Sequence, residues 1–152
     1  MKKQPGFTLV ELMIVCAVLG VIAMVSIPAY TEQVARGKRG EGKAALLRGA
    51  QQMERYYTVN NCYPSSAATC GSAASSATAL TAADIRAWSG DNSTHSKYTI
   101  SVTTTAQDFT LTATPINAMV DPKCNILTIT NTGAKDISGG AAGATKADCW
   151  AR

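Results

Sequence analysis

A long apolar segment near the N-terminus constrains this chain more than any other feature. Residues 7–27 are almost wholly apolar, and residues 12–25 carry no charge. At about 1.5 Å per residue, a helix over residues 7–27 is roughly 31 Å long, which is enough to cross the hydrocarbon core of a bilayer. The segment contains one acid, Glu11. A carboxylate in lipid is costly and normally has a positively charged partner, unless it lies at the interface near the helix start.

An ordinary cleavable secretory signal is the alternative for this segment. The apolar run is too long for the core of such a signal, it contains Glu11, and no small-x-small cleavage motif follows it. Lys2 and Lys3 favour a cytoplasmic N-terminus, but four bases at positions 36–43 follow the segment closely, so charge alone leaves the orientation ambiguous. The cysteines decide the orientation, because they place the C-terminal part outside the cytoplasm.

The chain has five cysteines, of which Cys16 lies in the apolar segment and is interpreted as a small hydrophobe. The other four are an even set and indicate two disulfides in an oxidising compartment. Of the three pairings, we favour Cys62–Cys70 and Cys124–Cys149, because both close local loops. A metal site is disfavoured, because the chain has no CxxC pair and its single histidine is distant in sequence.

The pattern beyond the apolar segment predicts a helix that continues to about residue 59. Leu46, Ala50, Met53 and Tyr57 recur at helical spacing, so they share a face that should pack against a sheet. Three glycines at positions 37, 40 and 42 should weaken this helix by roughly 2–3 kcal/mol. The bases at positions 36–43 are expected to form a solvated helical face.

From residue 97 the hydrophobic period changes to two. Residues 98–103 and 109–114 alternate apolar with polar side chains and predict a hairpin with one buried face. Residues 125–130 predict a third strand, and a turn at residues 131–133 leads to a short fourth strand at 135–138. Residues 60–96 are predicted to be a loop with one helical turn near residues 83–88. The prediction is therefore an α+β fold, with a long helix across a four-stranded antiparallel sheet.

The hexapeptide Gly6-Phe7-Thr8-Leu9-Val10-Glu11, after two lysines and before an apolar run, resembles the class III signal of type IV pilins. The resemblance implies that a prepilin peptidase cleaves between Gly6 and Phe7 and methylates the new N-terminus at Phe7. It also implies that Glu11 neutralises the N-terminal amine of an adjacent subunit during fibre assembly. Gly20 and Pro28 match the positions between which pilin helices unwind inside the fibre.

The rest of the chain is similar to the PilE-type minor pilins of proteobacterial type IV pili. The similarity rests on residues 53–57, 63–64 and 113–115, on Asp121 with Cys124, and on Cys149 with Trp150. It implies the type IV pilin fold with two disulfides. The implied parts are a leader (1–6), a transmembrane or fibre-core helix (7–29), an amphipathic helix (30–59), an αβ-loop (60–96), and a sheet with the D-region (97–152). The D-region is the interval closed by the Cys124–Cys149 disulfide.

The resemblance also implies partners and a location. The expected partners are other pilin subunits, the prepilin peptidase and an inner-membrane assembly platform. The subunit should lie in the inner membrane with its C-terminal head in the periplasm, and later in an extracellular pilus. The sequence contains no constellation that predicts catalysis, and no cofactor or metal is expected.

Three functions compete for such a subunit. The first is a minor or priming building block of a retractile pilus that supports adhesion, twitching motility and DNA uptake. The second is a DNA-receptor pilin that binds incoming duplex directly, and the third is a type II secretion pseudopilin. From residue 58 onward six bases face six acids, and Lys135 and Lys146 of the D-region are offset by Asp136 and Asp148. This balance favours the building block over the receptor. The disulfides and the tail motif disfavour the pseudopilin.

Overall fold

The computed structural model describes residues 6–64, 79–81, 83–116, 121 and 123–151 of the chain. Residues 1–36 and residues 37–152 form two separate compact units. The first helix, α1 (Leu9–Asn60), is 52 residues long and contributes residues to both units.

The N-terminal unit is an exposed apolar helix with a capped start. Every described residue from Gly6 to Thr31 is exposed. Thr8 Oγ1 accepts a hydrogen bond of 3.2 Å from the backbone N–H of Glu11. A capping threonine followed three residues later by an acid is a common pattern at the start of a helix. An 18-residue window of α1 has a mean hydropathy of 2.6, and none of it is buried. By length and composition this helix can cross a membrane.

Pro28 lies inside α1 without ending it. Proline removes one backbone donor from a helix, which frees an upstream carbonyl. The Thr31 hydroxyl donates a hydrogen bond of 2.9 Å to the carbonyl of Pro28 at the following turn. The helix is continuous through Gly20 and Pro28, so unwinding between them stays a prediction about the assembled fibre.

The C-terminal unit is built on the predicted antiparallel sheet. Its strands are β1 (Tyr98–Thr104), β2 (Phe109–Pro115), β3 (Ile126–Thr130) and β4 (Lys135–Ser138), in the order β1-β2-β3-β4. All three pairings are antiparallel. Gly133, with φ +74°, makes the tight turn between β3 and β4 that the Asn-Thr-Gly sequence predicts. The predicted four-stranded sheet is confirmed.

One face of the sheet forms the core under α1. Leu111 of β2 pairs with Val102 of β1 and with Ile129 of β3, and all three side chains are buried. Leu46 and Met53 of α1 have no exposed surface and belong to the same cluster. The predicted amphipathic face of the helix is therefore confirmed, and so is the α+β fold.

Gly42 has a packing role that the sequence does not suggest. The helix continues through positions 37, 40 and 42 without a break. A Cβ atom on Gly42 would lie only 2.9 Å from the ring of Tyr98, which is fully buried. Gly42 therefore lets the helix approach β1 closely, and its role is packing rather than softening.

The chain covers the outer edge of β1 with its own preceding segment. Trp88 forms an isolated bridge with Thr99, the Ser89 N–H donates to the Tyr98 carbonyl (2.9 Å), and the Ile100 N–H donates to the Ala87 carbonyl (2.9 Å). The predicted helical turn at residues 83–88 is therefore wrong. Helix is present at residues 79–81, and residues 87–89 are held against β1.

The D-region disulfide is present as predicted. Cys124 and Cys149 are bonded, with Cα atoms 5.7 Å apart, and both are fully buried. Cys149 lies in a short helix, α2 (Lys146–Trp150). By chain entropy alone this cross-link stabilises the fold by roughly 3.5 kcal/mol. Cys62 is buried, but Cys70 lies outside the described residues, so the Cys62–Cys70 pairing stays a prediction.

The contact of Gly42 with Tyr98 predicts opposite effects for two alanine substitutions in the same helix. Gly42→Ala should lower the free energy of unfolding by about 1–3 kcal/mol, because the new methyl group overpacks the buried ring. Gly40→Ala is the matched control, because no described atom lies within 4 Å of its Cβ position. It should raise stability by about 0.5–1 kcal/mol through helix propensity alone. Thermal unfolding of the detergent-solubilised chain measures both, and equal effects would contradict the packing role.

Candidate functional site

A buried ion pair attaches the start of the D-region to α1. Both side chains are almost fully buried: 3% of the Arg39 side chain is exposed and none of the Asp121 side chain. Arg39 Nε and Nη2 donate to the two oxygens of Asp121, the second bond at 3.2 Å. Asp121 also accepts from the Cys124 N–H at 3.2 Å and from the Tyr98 hydroxyl at 3.5 Å. The ion pair thus fixes the backbone next to the disulfide.

The end of the D-region is held one turn further along α1. Lys43 Nζ donates a hydrogen bond of 2.7 Å to the carbonyl of Ala151. Because Arg39 and Lys43 are four residues apart, they lie on the same side of the helix. The sequence interpretation of residues 36–43 as a solvated face is therefore wrong for Arg39, which is buried.

Four residues form a surface that we call the C-terminal basic patch: Lys43, Lys135, Lys146 and Trp150. Lys135 Nζ lies 5.4 Å from the centroid of the Trp150 ring, within cation–π range. Trp150 Nε1 donates to the Asp136 carbonyl at 3.1 Å, which fixes the ring on β4. Lys43 of α1 is close enough to Lys135 to repel it. The fold thus joins a base from α1 to the two bases of the D-region.

The acids that offset these lysines in the sequence are engaged locally. Asp136 Oδ1 accepts from the Ile137 N–H (2.8 Å) and pairs with Lys146 Nζ (3.3 Å). These bonds, led by the Ile137 N–H, hold the pKa of the Asp136 carboxyl below its usual value. Asp148 accepts from the Thr145 N–H and hydroxyl in the capping box that starts α2. Neither carboxylate is a hydrogen-bonding partner of the half-buried Lys43 or of the exposed Lys135 among the described contacts.

The electrostatics of the patch favour an anion. Desolvation, then the charges of Arg39 and Lys135, lower the pKa of Lys43 from its ordinary value. A lowered lysine pKa means that the charged form is disfavoured at that point, and a bound anion relieves this cost. In nucleic-acid sites, lysines contact phosphate oxygens and aromatic rings stack on bases. The patch can therefore hold a phosphodiester.

The residues predicted for processing and assembly all lie in the N-terminal unit. Gly6, Phe7, Glu11, Gly20 and Pro28 are exposed there, and Phe7 is 87% exposed. Their roles concern a peptidase and other subunits, so these assignments stay predictions. Among the described residues, no group of three or more histidine, cysteine or acidic side chains could hold a metal ion.

Sequence reasoning missed Arg39 and Lys43 as residues that position the D-region. A signal for Arg39 was present, because it lies seven residues before Leu46, and the apolar stripe extended by two turns reaches it. Charge hid this signal, since arginine is rarely buried without a partner and Asp121 is 82 positions away. For Lys43 we find no sequence signal, because its partners come from the last residues of the chain.

Comparison with protein families identifies the family of this chain. Residues 1–27 match the prokaryotic N-terminal methylation motif, and residues 28–128 match the family described as "Type IV minor pilin ComP, DNA uptake sequence receptor". The second match alone covers more than half of the chain. The chain belongs to this type IV minor pilin family. Pilins are structural subunits that assemble with other pilins into a fibre, and this pilin is not an enzyme.

Individual relatives agree with this family. The pilin is 42% identical over 75 residues to the fimbrial protein EcpC of Eikenella corrodens, covering 48% of each chain. It is 41% identical over 75 residues to the type IV major pilin protein PilE of Neisseria gonorrhoeae, covering 48% of this chain and 44% of that relative. The matched part thus spans about half the length of these curated relatives. The methylation motif, the apolar helix and the fimbrial relatives are those of a membrane-anchored subunit that enters a pilus.

A solved structure shares the fold. The non-core minor pilin PilV of Neisseria meningitidis aligns with a TM-score of 0.50 over 74% of this chain and 94% of that chain, at 19% identity. At this identity the likeness shows the fold alone. It is the type IV pilin fold that the sequence resemblance implies.

Breaking the buried ion pair should destabilise the C-terminal unit strongly. Arg39→Met should cost about 3–5 kcal/mol, because it leaves the Asp121 carboxylate buried without its counter-charge. Adding Asp121→Asn removes that charge and keeps an acceptor for the Cys124 N–H, so the double variant should be more stable than Arg39→Met. Denaturant unfolding of the detergent-solubilised chain measures this. An additive loss in the double variant would show that the pair is not coupled.

Proposed function

We propose that this pilin is a minor subunit that binds duplex DNA directly and serves DNA uptake. The observation that carries the proposal is the match of residues 28–128 to the family described as a DNA uptake sequence receptor. These residues contain α1 from Pro28 onward and the whole of β1, β2 and most of β3. They also include Arg39, Lys43 and Asp121, which hold the D-region in place.

The C-terminal basic patch supports this proposal. A count along the sequence balances Lys135 and Lys146 against two aspartates. The fold adds Lys43, pairs Asp136 with Lys146 and uses Asp148 to cap α2. Phosphate contacts supply most of the affinity of a protein for DNA, and lysines in solvent provide them. Trp150 adds a planar surface beside Lys135. These lysines and the ring are side chains of the kind that direct DNA binding uses, which supports the proposal.

A building-block or priming subunit without its own DNA affinity is the second candidate, and the charge balance of the sequence favours it. Four of the most similar curated relatives are fimbrial or major pilin proteins, which fits a structural role. The two candidates differ in one measurable property. Only the receptor binds DNA in the absence of other pilus components.

Before assembly, this pilin should be processed as its N-terminal motif indicates. We expect a prepilin peptidase to cleave between Gly6 and Phe7 and to methylate Phe7, since residues 1–27 match the N-terminal methylation motif. The head should lie in the periplasm, where its disulfides form, and an inner-membrane platform should then move the subunit into the fibre. In the fibre, Glu11 pairs with the N-terminal amine of an adjacent copy.

The proposed DNA binding predicts a salt-sensitive interaction that depends on the patch. Wild-type chain in a zwitterionic detergent should shift duplex DNA at submicromolar concentration. Lys43→Gln with Lys135→Gln should weaken binding by about tenfold or more and lower the slope of log K against log salt by about 1.8, because two phosphate contacts are lost. Gel-shift titrations over a range of salt concentrations measure both quantities.

Lys97→Gln is the matched control for the patch. Lys97 precedes β1, at the opposite edge of the sheet from β4, so its loss should leave the salt slope unchanged. Absence of any shift by the wild-type chain, with its unfolding transition intact, would favour the building block. An equal loss in the Lys97 variant would contradict the patch as the site.

The proposed role of Glu11 predicts an assembly defect without a processing defect. Glu11→Ala should leave the mature mass at that of a chain cut between Gly6 and Phe7, but should strongly reduce the amount of subunit in sheared pili, because the partner amine loses its counter-charge. Glu41→Ala, which removes an exposed acid from the same helix, is the control. Wild-type incorporation of the Glu11 variant, or a mature mass that still includes residues 1–6 in the wild type, would contradict this account.

A further inference from the structure

A groove lies between α1 and the described residues 79–81 and 83–88, away from the C-terminal basic patch. At 100° per residue, Arg48 is displaced by about 140° around α1 from Lys43 of the patch. One cavity of the groove has a volume of about 330 Å³ and is lined by Arg48, Gln52, Asp84, Ile85, Arg86 and Trp88 among others. The groove continues past Gln52 to Arg55 and Tyr56. We call this surface the arginine groove.

The rim of the arginine groove is positive. Arg48, Arg55 and Arg86 are all exposed, and of the acids only Asp84 belongs to the lining that the structure describes. Arg86 also lies 4.0 Å from Asp91, at the edge of ion-pair range and in solvent. A guanidinium is planar, binds phosphate through two parallel hydrogen bonds and stacks on flat rings. Three of them along one groove suit a ligand that carries more than one phosphate.

One residue of the cavity wall, Trp88, has a hydrogen-bond donor without an acceptor. Trp88 Nε1 is buried and has no hydrogen-bond partner, alone among the buried side-chain nitrogen and oxygen atoms that the structure describes. An indole nitrogen can only donate, and leaving it unpaired is unfavourable. Trp88 also lines the cavity of about 330 Å³, which has room for a group with an acceptor. A residue of the cavity wall therefore carries a buried donor without a partner.

We propose that the arginine groove binds an unpaired nucleotide within a nucleic-acid strand. The arginines hold the phosphates, and the cavity, with its apolar wall of Ile85 and Trp88 and the polar groups of Gln52 and Asp84, takes the base. A cavity of this size suits a ligand of roughly one nucleotide, whereas a duplex would meet only the rim. This inference rests on the proposed DNA-binding function and adds a second, strand-selective contact to it.

The chain has two tryptophans, one in each surface, so each surface can be followed separately. In Trp150→Phe the remaining fluorescence reports the arginine groove through Trp88. In Trp88→Phe it reports the C-terminal basic patch through Trp150. Each full-length variant, in zwitterionic detergent, is titrated with a short single-stranded oligodeoxynucleotide and with a duplex of the same sequence.

The groove should respond to the single strand. In Trp150→Phe, the single strand should change the Trp88 emission at lower concentration than the duplex does. Adding Arg48→Gln and Arg55→Gln should weaken this response by about tenfold or more and lower its salt slope by about 1.4, since two contacts to a single strand are lost. Lys123→Gln, a lysine beside Cys124 at the D-region, is the charge-matched control and should leave the response unchanged.

The outcomes separate this inference from the proposed function. A silent Trp88 with a Trp150 signal that responds to duplex would overturn the groove and leave the DNA-binding proposal standing. Silence of both tryptophans, with no gel shift, would overturn both. A Trp88 response equal for duplex and single strand would overturn the unpaired nucleotide as the ligand. An equal response to polyglutamate at matched charge would assign the groove to acidic polypeptides instead.

Discussion

The buried ion pair between Arg39 and Asp121 determines how the C-terminal unit is assembled. It joins the middle of α1 to the residue three positions before Cys124, and Asp121 also holds the Cys124 N–H. The disulfide then carries that constraint to Cys149 in α2, and Lys43 fixes the chain just beyond it. A buried charge pair contributes little net stability, because desolvation offsets its attraction. Its effect here is to exclude other placements of the D-region on α1, since any of them would leave a charge buried alone.

Much of this fold could be predicted because its signals are local and periodic. The alternation of residues 98–103 and 109–114 indicates strands, and Leu46 with Met53 marks the buried face of α1. The close approach at Gly42 could not be predicted, because it depends on the ring of Tyr98, which lies 56 positions later in the chain. From the sequence alone, isolated glycines in a helix predict a weakened helix. Only the tertiary contact shows that one of them is a packing site. The sequence wrongly predicts a helical turn at Trp88 for a similar reason, because the partner of Trp88 is the edge of β1.

The candidate site was less predictable than the fold. Counting charges along residues 58–152 assumes that a surface is built from neighbours in sequence. The C-terminal basic patch instead combines Lys43 of the helix with Lys135 of β4, and the acids nearby have their own local partners. A neutral segment can therefore contribute to a positive surface when a helix from another part of the chain supplies the missing charge.

The covered edge of β1 has a consequence for subunits that must coexist at very high local concentration. An open strand edge is a template on which a second chain can extend the sheet, and such a ladder is cooperative and hard to separate. Here residues 87–89 occupy the edge of β1. At the other edge, β4 is only four residues long and presents Lys135 and Asp136. Contacts between crowded copies are thereby restricted to side chains and helix faces. A polymer held together by such contacts can gain and lose its members one at a time without their sheets fusing.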